Sequence, residues 1–378
     1  NTGKVLPVLM AFFVMSFVDL VGISVDRVSA DMDLSATLAQ LIPSAALLWF
    51  FLLSVPVGVL QSRVGKRNML NAGMGMTAVG LLVPYFFYSF EMVLAGFALI
   101  GIGNTIVQVS ANPLLFDVVP GNRVSSFLSF SQFIKAIGSM LGAPLAALLA
   151  ARFGDWKLIF LVFGVVSILS VLWLGGVKIE ESGTKEFKAT LGSTFRLLGN
   201  SYIFFMVFSI FLVVGVDVGF NSNSGQFLMK QFGIEQVAAE SGRSVYFFGR
   251  MLGTFAGALM LTRISARKFF MWTSLLGILC LSALLLVKSV VIAWMLVFMT
   301  GLAVANIFPL VFSITVARYP ARSNEISGLI MMAVSGGAVI PLLIGWMSDM
   351  TTIAIGMSLL VACMVYLWAV SVYSLRTE

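Results

Sequence analysis

The chain has 378 residues, of which 60% are hydrophobic and 10% charged, with a mean hydropathy of +1.04 and a formal net charge of +7. That is too apolar for an ordinary cytosolic enzyme, and the lack of any histidine excludes a His-based metal site or a His-containing catalytic triad. The basic residues fall in short clusters between apolar runs, the pattern of a polytopic membrane protein rather than of a nucleic-acid binder.

A crossing of the hydrocarbon layer takes roughly 20 helical residues. Apolar runs, read against turn and charge signals, predict an all-α membrane protein with twelve transmembrane helices. They fall at about 5–28, 34–61, 68–89, 91–117, 124–152, 156–176, 200–229, 241–262, 269–287, 289–317, 324–348 and 351–373. The first run is too long and too evenly hydrophobic for a cleaved signal peptide. One long polar connection, Val177 to Gly199, holds Lys178, Glu180, Glu181, Lys185, Glu186, Lys188 and Arg196. It predicts two six-helix bundles, 1–176 and 200–378, joined by a cytoplasmic linker at 177–199.

The informative residues are the polar ones inside spans. A charge at the bilayer centre costs about 2.5–3.5 kcal/mol on insertion scales, so it faces a cavity or a partner. In the first helix, Asp19 shares a face with Ser16 and Asp26. The connection that follows the second helix carries Arg63, Lys66 and Arg67, read as a gating loop. In the fourth helix Asn104, Gln108 and Asn112 recur every turn, with Pro113 breaking the ladder. Such a stripe either lines a pathway or bonds neighbouring helices. In the fifth, Gln132, Lys135 and Ser139 share a face, and Lys135 lies too deep to snorkel, so Asp19 is its expected partner. The seventh helix presents Asp217, Asn221 and Ser224, and the eighth Tyr246, Arg250 and Thr254, with an Asp217–Arg250 pair expected. Arg263 and Arg267 repeat the gating loop, and Asn306 adds an amide to the tenth helix. Cys280 and Cys363, in separate apolar segments, read as small buried hydrophobes rather than a disulfide or metal pair.

Charge counting sets the orientation. The N-terminus, the even-numbered connections and the C-terminus hold Lys4, Arg63, Lys66, Arg67, Arg123, Lys178, Lys185, Lys188, Arg196, Arg263, Arg267, Lys268, Arg318, Arg322 and Arg376. The odd connections hold only Arg27, Arg152, Lys157, Lys230, Arg243 and Lys288. The positive-inside bias therefore predicts cytoplasmic termini. The halves also echo each other at an offset of about 200 residues: Arg63 with Arg263, Pro120 with Pro320, Pro144 with Pro341, and Asp19 with Asp217. Parallel repeats with a midplane site between them describe an alternating-access carrier.

The stretch Gly58-Val-Leu-Gln-Ser-Arg-Val-Gly-Lys-Arg67 resembles the loop signature of the major facilitator superfamily, with Ser62 where an acid is usual. Ser110-Ala-Asn-Pro-Leu114, Phe248-Gly-Arg-Met-Leu-Gly-Thr254, Phe308-Pro-Leu-Val-Phe-Ser313, Gly336-Gly337, Pro341 and Gly345-Trp-Met-Ser-Asp349 narrow the resemblance. Together they are similar to the bacterial fucose–galactose–proton symporter family, the L-fucose permease-like carriers. The resemblance implies the major facilitator fold, two pseudo-symmetric six-helix bundles, and a sugar carried inward with a proton.

At the family's fourth-helix acid this chain has Gln108, which cannot titrate. The expected proton carrier is therefore Asp19, tuned by Lys135, with Asp217 and Arg250 completing the coupling set. Asn104, Gln108, Asn112, Gln132, Asn221, Tyr246 and Asn306 are the expected substrate contacts, and Phe220 and Phe308 are candidates for stacking on a sugar ring. Alternative readings are an anionic-sugar or other organic-solute symporter and a drug-type efflux antiporter. The last is suggested by Gly138-Ser-Met-Leu-Gly-Ala-Pro144. The expected partners are the lipid bilayer, one small solute and a coupling ion, a proton before sodium. The chain is expected to be a monomer in a bacterial inner membrane, with no enzyme activity, cofactor, metal or nucleic acid.

Overall fold

The computed structural model describes residues 2–119, 124–181, 195–261, 263–319 and 322–376. Arg123, Lys185, Lys188, Pro120 and Pro320 lie outside the described residues, as do the side chains of Ser62, Arg63 and Asn112. Every regular element among the described residues is helical. They are α1 (Thr2–Met15), a 3-10 turn (Ser16–Leu20), α2 (Val21–Met32), α3 (Ala36–Ala39), α4 (Leu41–Val64), α5 (Lys66–Phe86), α6 (Phe90–Val118), α7 (Val124–Phe153) and α8 (Leu158–Gly176). After a short 3-10 turn at Leu197–Gly199 come α9 (Ser201–Phe232), α10 (Gln236–Met260), α11 (Ala266–Leu286), α12 (Val290–Val304), α13 (Ile307–Arg318), α14 (Ser323–Ala333), α15 (Gly336–Met350) and α16 (Ile353–Arg376).

These helices make the twelve expected crossings. Eleven stretches are long and apolar enough to span a membrane. The twelfth crossing is α10, whose 25 residues include Glu240, Arg243 and Arg250, and those charges set it apart from the others. Four crossings are broken among the described residues, the second crossing at Gln40 between α3 and α4. The first is interrupted by the Ser16–Leu20 turn, the tenth at Ala305–Asn306 and the eleventh at Val334–Ser335. A broken crossing frees backbone groups in mid-membrane, where they need partners. Helix ends are closed by ordinary means: Ser89 accepts from Met92 N–H, Asn200 from Tyr202 and Ile203 N–H, and Gly233 takes the left-handed conformation after α9.

The chain divides into two compact units, one of 1–21 and 45–188 and the other of 22–44 and 189–378. In the first unit α5 and α6 approach closely through Gly80 and Gly96, where a Cβ on either would meet backbone of the other helix at 2.7 Å. The second unit contains the α9–α16 helices together with α2, α3 and the start of α4. The divide runs through the first crossing immediately after the turn that carries Asp19. Large apolar side chains such as Leu172, Trp272 and Leu286 are exposed, as lipid-facing positions are.

Candidate functional site

In the first unit the site is built around the break in the first crossing. The 3-10 turn replaces a turn of α-helix at Ser16–Leu20, and Asp19 sits in it, half-buried. Gly138 lets α7 reach this turn, because a Cβ there would fall 2.0 Å from Ser16 Oγ. One residue on, the Ser139 hydroxyl donates to Asp19 Oδ2 while also reaching the Lys135 carbonyl at 3.1 Å. Ser139 thus meets the Asp19 carboxylate one turn along α7 from Lys135, its expected partner. A 3-10 turn has 3.0 residues per turn and a longer rise than an α-helix, which displaces the carboxylate along α7 toward Ser139. Lys135 stays half-buried one turn away, and Gln132 is exposed.

The fourth-helix stripe divides into two roles. Asn104, 1% exposed, donates from Nδ2 to the Met15 carbonyl at 2.6 Å and so braces the start of the break. Gln108 donates to Asn104 Oδ1 at 2.8 Å and remains half-buried, closer to an open face. Phe17 stacks on Phe163 at 4.2 Å beneath the turn.

In the second unit Asp217 lies within the unbroken α9, and Arg250 Nη1 donates to its Oδ2 at 2.6 Å, the pair expected from sequence. Tyr246 donates its hydroxyl to Asp217 Oδ1 at 2.7 Å and packs against Phe220, 4.7 Å between ring centroids. The Arg250 guanidinium lies 5.9 Å over Phe247. Asn221 is buried, and its backbone carbonyl accepts from Arg243 Nε at 2.8 Å. Asn306 occupies the break of the tenth crossing, donating to the Gly253 carbonyl at 2.7 Å across a gap that Gly257 keeps open. It supports α10 as Asn104 supports the first crossing.

The sequence profile of the Major Facilitator Superfamily matches residues 8–341. The chain belongs to this superfamily. A glucose/galactose transporter of Brucella abortus is 24% identical over 390 aligned residues, covering 97% of this chain and 93% of that protein. Among solved structures, a variant of the Escherichia coli fucose:proton symporter matches with a TM-score of 0.71 at 15% identity, covering 97% of both chains. A bacterial homologue of the human lysosomal transporter Spinster matches with a TM-score of 0.77 at 17% identity, covering 98% and 96%. The fold is thus shared with carriers of differing description, and the chain is a multi-pass transporter, not an enzyme.

Within this superfamily fold, the loop residues read as gating contacts have defined partners. Lys66 Nζ lies 2.7 Å from Asp117 Oδ2, both nearly sealed from solvent. The Lys66 and Arg67 backbone N–H groups donate to the Glu181 carboxylate at 2.7 and 2.9 Å, so an acid from the linker caps α5 where Gly65 (φ +92°) supplies no side chain. Arg67 also donates to the Leu174 and Gly175 carbonyls. Arg263 is exposed and Arg267 half-buried.

Two ion pairs escape the sequence reading. Arg27 and Arg243, counted there as loop residues, lie inside α2 and α10. Arg27 grips Glu240 through two nitrogens at 2.7 and 2.8 Å, and Arg243 Nη2 lies 2.5 Å from Asp26 Oδ2. Gln236 donates to Glu240 at 3.0 Å. With Gln40 on Asn223 (3.1 Å) and the Asp349 carboxylate accepting from Ala36 and Thr37 N–H (2.8 and 2.7 Å), these bonds join 22–44 to the rest of the second unit. The available signal was the i, i+3 spacing of Glu240 and Arg243 on a polar start of a crossing.

Proposed function

We propose that this carrier imports a neutral sugar of the hexose or deoxyhexose class together with a proton, by alternating access. The observation that carries the reading is Asp19: a carboxylate in the 3-10 break of the first crossing, half-buried and accepting from the Ser139 hydroxyl of α7. A mid-helix 3-10 turn is a natural hinge, and an intramembrane acid at a hinge can exchange its proton as exposure changes. The curated relatives named as glucose/galactose transporters and the fucose:proton symporter support the substrate class and the coupling ion. Half-buried Gln108 and exposed Gln132 in the first unit, and Asp217 and Arg250 in the second, supply hydroxyl-binding groups. In this reading Asp19, at the break, is the proton carrier, and the Asp217–Arg250 pair belongs to the solute path.

The glycine–proline stretch of α7 favours efflux less than its composition suggests, because Gly138 serves the approach to Ser16. Cytoplasmic termini and a cytoplasmic linker follow from the basic bias.

The test is uptake of a labelled sugar panel by proteoliposomes under imposed proton or sodium gradients. Proton-driven accumulation of a neutral hexose is expected. Asp19→Asn should abolish that accumulation while sparing sugar exchange at equal pH. Undiminished gradient-driven uptake in that variant would remove Asp19 from the mechanism.

A further inference from the structure

We infer that the Asp217–Arg250 pair sets the charge preference of the substrate site, admitting neutral sugars and rejecting both acidic and amino sugars. The inference rests on the sugar-uptake reading above and deepens it.

Three buried or half-buried Arg–carboxylate pairs occur among the described residues of the second unit, and their exposures separate them. Arg243 and Asp26 are 3% and 0% exposed, and Arg27 and Glu240 are 14% and 1%, so these charges are sealed in protein. Arg250 and Asp217 are 28% and 23% exposed, near the middle of their crossings. Charged groups do not face hydrocarbon, so the open part of this pair faces a hydrated path. The pair is also fixed from behind. Fully buried Tyr246 holds one Asp217 oxygen and leans on Phe220, while Phe247 lies under the guanidinium. A solute therefore meets a planar donor and a planar acceptor side by side in set positions.

A guanidinium carries five N–H donors in a fixed plane and a carboxylate about four acceptor sites. Adjacent sugar hydroxyls, each donor and acceptor, match that edge. A carboxylated sugar brings its negative charge beside Asp217, and an amino sugar brings an ammonium beside Arg250. In either case the like charge opposes binding, so the site discriminates by repulsion as well as attraction. Removing one member leaves the other as net charge in the path, and the preference should move in the direction of the remaining sign.

The experiment compares glucose, glucuronate and glucosamine uptake in proteoliposomes containing wild type, Asp217→Asn, Arg250→Gln or the double variant. Wild type should favour glucose over both charged sugars. Asp217→Asn should raise the glucuronate-to-glucose ratio of kcat/KM by about tenfold or more, Arg250→Gln should raise the glucosamine ratio similarly, and the double variant should return toward neutral preference. If one single variant fails to insert, the other carries the test through its opposite sign. Unshifted ratios in variants that insert and transport would overturn the assignment. Loss of insertion in both single variants, with recovery only in the double, would make the pair a structural bridge and also overturn it. Wild type that moves none of these sugars would instead overturn the sugar reading itself.

Discussion

At the scale of single residues, the same side-chain type divides by what the backbone around it needs. Asn104 and Gln108 stand one turn apart on α6, yet Asn104 is sealed and spent on the Met15 carbonyl while Gln108 keeps an open side. Asn104→Ala would remove that buried hydrogen bond, which contributes about 0.5–1.5 kcal/mol. The expected result is a clear fall in thermal stability in detergent for Asn104→Ala, with Gln108→Ala lowering sugar affinity more than stability. Equal stability losses in both would show the two amides acting as one structural ladder. Sequence located this stripe because amides are conspicuous in an apolar helix, but it could not divide the roles, since the 3-10 break that Asn104 braces has no local marker. The same break sets the Asp19 carboxylate against Ser139, one turn along α7 from Lys135, an offset with no mark in the sequence.

At the scale of elements, α10 holds the second unit's chemistry and its mechanical attachment on one helix. Its first turns, with Glu240 and Arg243, clasp α2, and its middle presents Arg250. Room for the clasp comes from glycine: a Cβ on Gly225 would lie 2.1 Å from Asp26 Oδ2, and one on Gly22 would lie 2.7 Å from Arg243 Nε. Charges near helix ends look in sequence like loop residues bathed in water, so the spacing of Glu240 and Arg243 marked a polar face but not its partners on α2. Arg243→Met leaves Asp26 buried without its counter-ion, which destabilises by about 3–5 kcal/mol. Asp26→Leu combined with Arg243→Met removes both charges and should recover most of that loss. Thermal unfolding of the purified variants checks this. A double variant no more stable than the single would mean that the two charges do not act as a pair.

At the scale of the whole molecule, the two halves share a plan and differ in its execution. The apolar runs and basic clusters made the twelve crossings legible, and the offset between Asp19 and Asp217 made the repeat legible. What the repeat concealed is that its two acids sit in unlike settings. Asp19 occupies a broken turn with a hydroxyl partner, and Asp217 a continuous helix with a guanidinium partner. A break in a helix can change the exposure of the acid it carries, whereas an acid in a continuous helix moves with that helix as one body. The two positions should therefore fail differently. In proteoliposomes the ratio of proton-driven accumulation to equilibrium exchange should collapse in Asp19→Asn. In Asp217→Asn it should be kept for whichever sugar that variant accepts, even as the identity of that sugar changes. Collapse of the ratio at both positions would mean that the acids carry the proton jointly, and the division of labour between the halves would have to be abandoned.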